Sequence, residues 1–289
     1  MTMSRSSSPA VVVTWVDWVR SGQWEESADT AIPMLPAMAS HVVELALDPD
    51  VSATRITNVV SKDPVLATRV IQLANSAFSA PAKEITSIGE AVVRMGTGPV
   101  RNVVTAACLS ALSADPKIYG RHGRDHIDHS IDTAYLAWLL ADRADESPDE
   151  AFLYGLLHDI GKLVILKLAR ECQHFGVLTP TEEETATILE EKHASIGGYV
   201  LEQWGMPHSL FDPIVWHHDP SCANQRRAAA TVAYVANRLA HRYGFGCPVD
   251  AFDPLTDPLI VQFGMDARAI EKLDLHAPGL FEVARKIAG

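Results

Sequence analysis

The sequence predicts an all-α protein. Helical apolar periodicity runs through most of it, helix starts and stops recur, and no series of alternating strands with hairpin turns interrupts the pattern. Residues 1–9 are Ser-rich and read as a loose tail at the head of an N-terminal segment, 1–29. Asp63-Pro64 offers an N-cap followed by proline at the first helical position, and Val65, Leu66, Val70, Leu73 and Ala77 then form an apolar stripe. Ser87 with Glu90, and Ser147 with Glu150, fit the capping-box spacing. Gly96, Gly205 and Gly244 stand where left-handed residues would close helices. Residues 30–112 read as four or five short amphipathic helices. A polar, turn-rich stretch, Ser113 to Asp125, separates them from longer helices over 125–245. The remainder, 246–289, opens on a Pro/Asp-rich loop and ends in one or two helices, with Pro278 near the start of the last.

Composition narrows the function classes. Lys and Arg number 24 against 36 Asp and Glu, a net charge of −12, with 47% hydrophobic and 21% charged residues over 289 positions. That mixture builds a core instead of a disordered chain. The acidic balance argues against a protein that tracks nucleic-acid phosphates, which needs clustered basic residues, so direct DNA binding is not expected. Cys108, Cys172, Cys222 and Cys247 form no CxxC pair and read as buried or inert thiols of a reducing cytoplasm. No apolar run reaches the ~18 residues that cross a bilayer. The stretch Ala10 to Val19 is broken by Asp17 and precedes no cleavage site. A cytoplasmic location without membrane attachment is the expectation.

Twelve histidines are the unusual component, and nine fall within 125–245. The sharpest local feature is Gly155-Leu-Leu-His158-Asp159-Ile-Gly161-Lys162, an imidazole and a carboxylate after an apolar helical run. Both groups ligate divalent Fe, Mn or Zn, and a carboxylate can bridge two ions. Lys162, a turn on, places an ammonium where it can meet a phosphate. By itself a His-Asp pair more often makes a helix-end hydrogen bond. His129 on the preceding helix, His193 opening another and His217-His218 ending a third change the weighting, because helix ends converge ligands in a bundle. A structural reading, in which the histidines satisfy one another and nearby carbonyls, stands beside the metal reading. His41, His174, His208, His241 and His276 read as surface or packing residues, Trp204 and Trp216 as core, and Met34, Met38 and Met95 as core gap-fillers.

The string from His129 through His158-Asp159 to His193 and His217-His218 resembles the HD superfamily of metal-dependent phosphohydrolases. Leu35-Pro36-Ala37-Met38, Asp63 to Val70, Leu73 to Ala77, Ser87 to Val92, Met95-Gly96, Gly197 to Leu201 and Trp204 to Pro207 make the resemblance more specific. Over about residues 33–245 the chain is similar to HDOD-domain proteins, regulatory relatives of the HD-GYP cyclic-dinucleotide phosphodiesterases. That resemblance implies a bacterial protein with an N-terminal HDOD helical subdomain packed on an HD-type bundle. It implies a first metal on His129, His158 and Asp159, and a second on His193, His217 and His218 with Asp159 between them. Asn237 holds the position of the last ligand, an aspartate in the active enzymes, so one negative charge is missing and the ion is weakly held or absent. Asp219 to Ala223 replaces the Gly-Tyr-Pro segment of the HD-GYP enzymes. The implied function is a signalling module, regulating gene expression or motility, that binds a protein partner or a nucleotide. The alternative is a metal-dependent phosphohydrolase or phosphodiesterase acting on a nucleotide or cyclic dinucleotide, with Asp159 and Lys162 as its catalytic groups.

Overall fold

The computed structural model describes residues 13–27, 32, 51–75, 83–243 and 252–288. Leu35 to Met38, His41, Met34, Ser76-Ala77, Gly244 and Cys247 lie outside them. Every element among the described residues is a helix, and they contain no strand. A short α1 (Trp15–Arg20) precedes α2 (Ala53–Val60), α3 (Pro64–Ala74), α4 (Ile88–Met95) and α5 (Thr97–Leu112). The larger helices follow: α6 (Gly120–Leu140), α7 (Pro148–Leu157), α8 (Ile160–Glu171), α9 (Glu182–Gln203), α10 (Phe211–Val215) and α11 (Arg227–Tyr243). α12 (Pro258–Gln262) and α13 (Ala267–Ala288) complete the chain.

Local chemistry explains the starts. The Asp63 carboxylate accepts from the Val65 and Leu66 amides with Pro64 at the first helical position, and the Ser87 and Ser147 hydroxyls accept from the Glu90 and Glu150 amides. Glu90 returns its side chain to the Thr86 amide, whereas Glu150 turns away to pair with Arg226. The fully reciprocal capping box lies elsewhere, at Thr181 and Glu184, and opens α9. Gly96 has φ +83° and forms the corner between α4 and α5 without the Cβ clash a left-handed L-residue incurs.

Two apolar clusters meet along α5. Val100, Val103, Val104 and Ala107 pack with α2, α3 and α4, while Ala106, Leu109 and Leu112 join the larger core of α6 to α11. The N-terminal segment is clipped to that larger core. Trp15, Trp18 and Trp24 are buried, Trp24 meets Tyr199 of α9 edge-on at 5.0 Å, and the Arg20 guanidinium donates twice to Glu191.

Three expectations need correction. Val65 is 58% exposed, because the face of α3 that packs inward is Leu66, Val70, Leu73 and Ala74. α6 begins at Gly120, within the stretch expected to be a connection up to Asp125. Pro278 lies mid-helix: α13 runs unbroken through it, anchored by fully buried Ala277 and Phe281, so packing outweighs the lost N–H. Among the described residues no helix is long and apolar enough to cross a membrane.

Candidate metal centre

Five helices bring the predicted ligands to one buried point. His158 is the C-cap of α7 and Asp159 the N-cap of α8, so the α7–α8 corner carries both. His217 and His218 follow the short α10. His129 and His193, expected near helix ends, project from the interiors of α6 and α9. The reason for His193 is the Thr181 capping box, which starts α9 more than two turns earlier than expected. His129, His158, Asp159, His193, His217 and Asn237 are all buried, while His218 lies at the mouth.

Burial depends on a close approach of α8 and α9. A Cβ added to Gly161 would stand 2.0 Å from the His193 carbonyl oxygen and 2.7 Å from the Gly197 nitrogen. Only glycine lets the two backbones come together there.

Three imidazoles have their tautomers fixed. Nδ1 of His158 lies 2.8 Å from the Gly155 carbonyl, Nδ1 of His217 lies 2.7 Å from the Ile214 carbonyl, and Nδ1 of His193 bonds the Leu189 carbonyl. A carbonyl only accepts, so each Nδ1 carries the proton and each Nε2 turns a lone pair inward. This is the outer hydrogen bonding that orients metal-ligating histidines. The Asp159 carboxylate stands between two groups of these atoms. Its Oδ2 faces Nε2 of His158 at 3.3 Å and of His129 at 3.9 Å. Its Oδ1 faces Nε2 of His193 at 3.4 Å and of His217 at 3.9 Å. The ligating atoms of His129, His158 and Asp159 lie within 4.8 Å of one another, as do those of His193, His217 and His218.

The donor chemistry fits a divalent cation. Nε2 of His158 and Oδ1 of Asp159 are buried without a hydrogen-bond partner, a costly arrangement that a bound ion would relieve. Lys162 does not stand free for a phosphate; its Nζ rests 2.6 Å from Asp159 Oδ2. Asn237 engages His129, with Oδ1 2.9 Å from Nε2. As placed, the amide oxygen accepts from an N–H that would have to be absent for Nε2 to ligate.

Two histidines beyond the predicted set border the site. His241, read above among surface or packing residues, is half-buried with its ring 4.5 Å from that of His129. His126 is half-buried one turn before His129. The signal for both was helical spacing, three residues before His129 and four after Asn237.

Burial governs the ionisation of the cluster. It pushes His126, His193 and His241 down to about 4, and His129 and His217 well below the usual imidazole range. Burial alone would raise Asp159, but the neighbouring His158 and the Lys162 ammonium overcome it and hold the carboxyl well below its ordinary value. In the unfolded chain these histidines titrate near ~6.5, so between that pH and about 4 the unfolded state binds more protons and stability falls with acidification. His193 alone contributes up to about 1.4 kcal/mol per pH unit in that window. Calorimetry of metal-free protein at pH 7 and pH 5 is expected to show a midpoint lower by roughly 5 °C or more at pH 5. An unchanged midpoint would mean the imidazoles are not buried neutral.

A family model for the HDOD domain matches residues 32–220. The chain belongs to the HDOD-domain family. The matched span of this HDOD protein includes His129, His158, Asp159, His193, His217 and His218, while Asn237 and His241 lie beyond it. An uncharacterized protein of Treponema pallidum is 26% identical over 200 residues, covering 65% of this chain and 38% of its own. A protein named ribonuclease Y from Fervidobacterium nodosum is 23% identical over 201 residues, covering 69% and 34%. The HDOD chain therefore spans little more than a third of the length of these curated relatives. In fold it is similar to an HDOD domain protein of Geobacter sulfurreducens, with TM-score 0.67, 20% identity and 93% and 97% of the two chains covered. It is also similar to a provisionally named metal-dependent phosphohydrolase of Shewanella amazonensis, with TM-score 0.68, 19% identity and coverage of 95% and 99%. The strand-free helical fold of the described residues is thus the fold of these HDOD-type and phosphohydrolase-named structures.

Proposed function

We propose that this HDOD protein is a bacterial, cytoplasmic signal-transduction module that acts by binding a protein partner or a nucleotide, with a divalent Fe, Mn or Zn ion held in a reduced HD-type cradle. The observation that carries this reading is Asn237 on His129, where the resemblance calls for a carboxylate. A neutral amide removes one negative charge from the ligand set and occupies the very imidazole atom that would ligate. Lys162, drawn onto Asp159, already neutralises the remaining carboxylate. His129, His158 and Asp159 would hold one ion, and His193, His217 and His218 a second, with Asp159 between them. A bound dication would supply Lewis acidity toward a phosphoryl oxygen. The chain's own residues orient and shield that position: three imidazoles are locked by backbone carbonyls, and every clustered ligand except His218 is buried.

The test is turnover by metal-loaded protein on cyclic dinucleotides, guanosine tetraphosphate, nucleoside triphosphates and RNA. No hydrolysis above background is expected. Metal-dependent turnover that Asp159→Ala abolishes would overturn the module and favour the second reading, a phosphohydrolase or phosphodiesterase with Asp159 and Lys162 as its catalytic groups. Two orphaned buried atoms, His158 Nε2 and Asp159 Oδ1, favour that second reading. Asn237→Asp, which restores the carboxylate, is expected to raise Mn²⁺ affinity by about tenfold or more, read by isothermal titration. No gain in affinity would remove Asn237 as the weakening element.

A further inference from the structure

We propose that His241 is a metal ligand of the first cluster, taking the place on α11 that Asn237 leaves. This rests on the reading of the cradle as a metal site. Asn237 and His241 are four residues apart on α11 and therefore lie on one face, and His129 touches both: its Nε2 meets the amide at 2.9 Å and its ring stands 4.5 Å from the His241 ring. The Asn237 amide offers only a neutral oxygen at that point. The next donor along that face is the His241 imidazole. It is half-buried at the edge of the cluster.

With His241 included, the two halves of the cradle match. His129 and His158 face Asp159 Oδ2, and His193 and His217 face Oδ1; His241 beside His129, like His218 beside His193, would bring each half to three imidazoles. Each half offers three imidazoles and one carboxylate oxygen, the donor balance suited to zinc; manganese prefers oxygen. Replacement of an aspartate by a neighbouring histidine therefore changes which ion the site selects, instead of simply weakening it.

The experiment is titration of the chelator-treated full chain with Zn²⁺ alone, with far-UV circular dichroism as the check on folding. Wild-type protein is expected to take two equivalents. His241→Ala should lose at least tenfold in affinity at one site and leave the other within about twofold, since even outer partners of ligands contribute about 10–100-fold. In Asn237→Asp/His241→Ala, the restored carboxylate should return the lost site to within about threefold of wild type. The comparison is with Asn237→Asp alone: a merely structural His241 predicts the same gain from that substitution in either background, whereas a ligand His241 predicts a larger gain when it is absent. Wild-type affinity in His241→Ala, or a double variant as weak as the single one, overturns the assignment and leaves the cradle intact. A wild-type chain that takes up no zinc overturns both.

Discussion

Asp159→Ala is expected to abolish divalent-ion binding at both clusters at once, with affinity for Zn²⁺ or Mn²⁺ falling by more than about 100-fold. The reason is geometric. Oδ2 serves His129 and His158 while Oδ1 serves His193 and His217, so a single truncation removes the only carboxylate among the clustered ligands of either half. Truncation also leaves the Lys162 ammonium facing imidazoles instead of its counter-ion, which adds positive charge where a cation must enter. His218→Ala makes the contrast, because His218 belongs to one cluster and lies at the mouth. Elemental analysis and titration of the two variants decide the matter. A chain lacking Asp159 that still holds one full equivalent would show that the carboxylate does not serve both halves.

Gly161→Ala carries the second large effect. The added methyl would meet the His193 carbonyl oxygen at 2.0 Å, and backbone cannot rotate aside as a side chain does. α8 and α9 must separate, at a destabilisation of about 3 kcal/mol or more, and His193 moves off Asp159 as they do. Gly89→Ala in α4 is the matched control, because a Cβ there meets nothing within 4 Å; it is expected to be neutral or stabilising by up to about 1 kcal/mol. Thermal melts of the pair should differ by roughly 10 °C. Equal midpoints would show that the helix contact at Gly161 is not tight.

Much of this was legible in residue order. The caps at Asp63, Ser87 and Ser147 follow from side-chain oxygens that compete for free amides, a local effect that sequence displays directly. The convergence of His129, His158, Asp159, His193, His217 and His218 was readable from histidines spread over separate helices, although the interior positions of His129 and His193 were not. Those depend on where α6 and α9 begin, and one unnoticed capping box at Thr181 shifted the start of α9 by several residues. His126 and His241 each look ordinary in the sequence; what singles them out is a neighbour one turn away, whose importance depends on the tertiary site. The helix that continues through Pro278 shows the same limit, since the buried contacts of Ala277 and Phe281 are long-range. The inward lean of Lys162 was not readable either: stem flexibility allows the ammonium to point out or back, and burial of the carboxylate decides.

That lean has a consequence for how occupancy would be felt outside the cradle. An ion that enters must compete with a tethered ammonium already resting 2.6 Å from the carboxylate. Uptake would therefore set an external cation against an internal one, the Lys162 ammonium, which is only 16% exposed while it is paired with Asp159. Occupancy of the cradle would thereby be coupled to where the Lys162 ammonium rests.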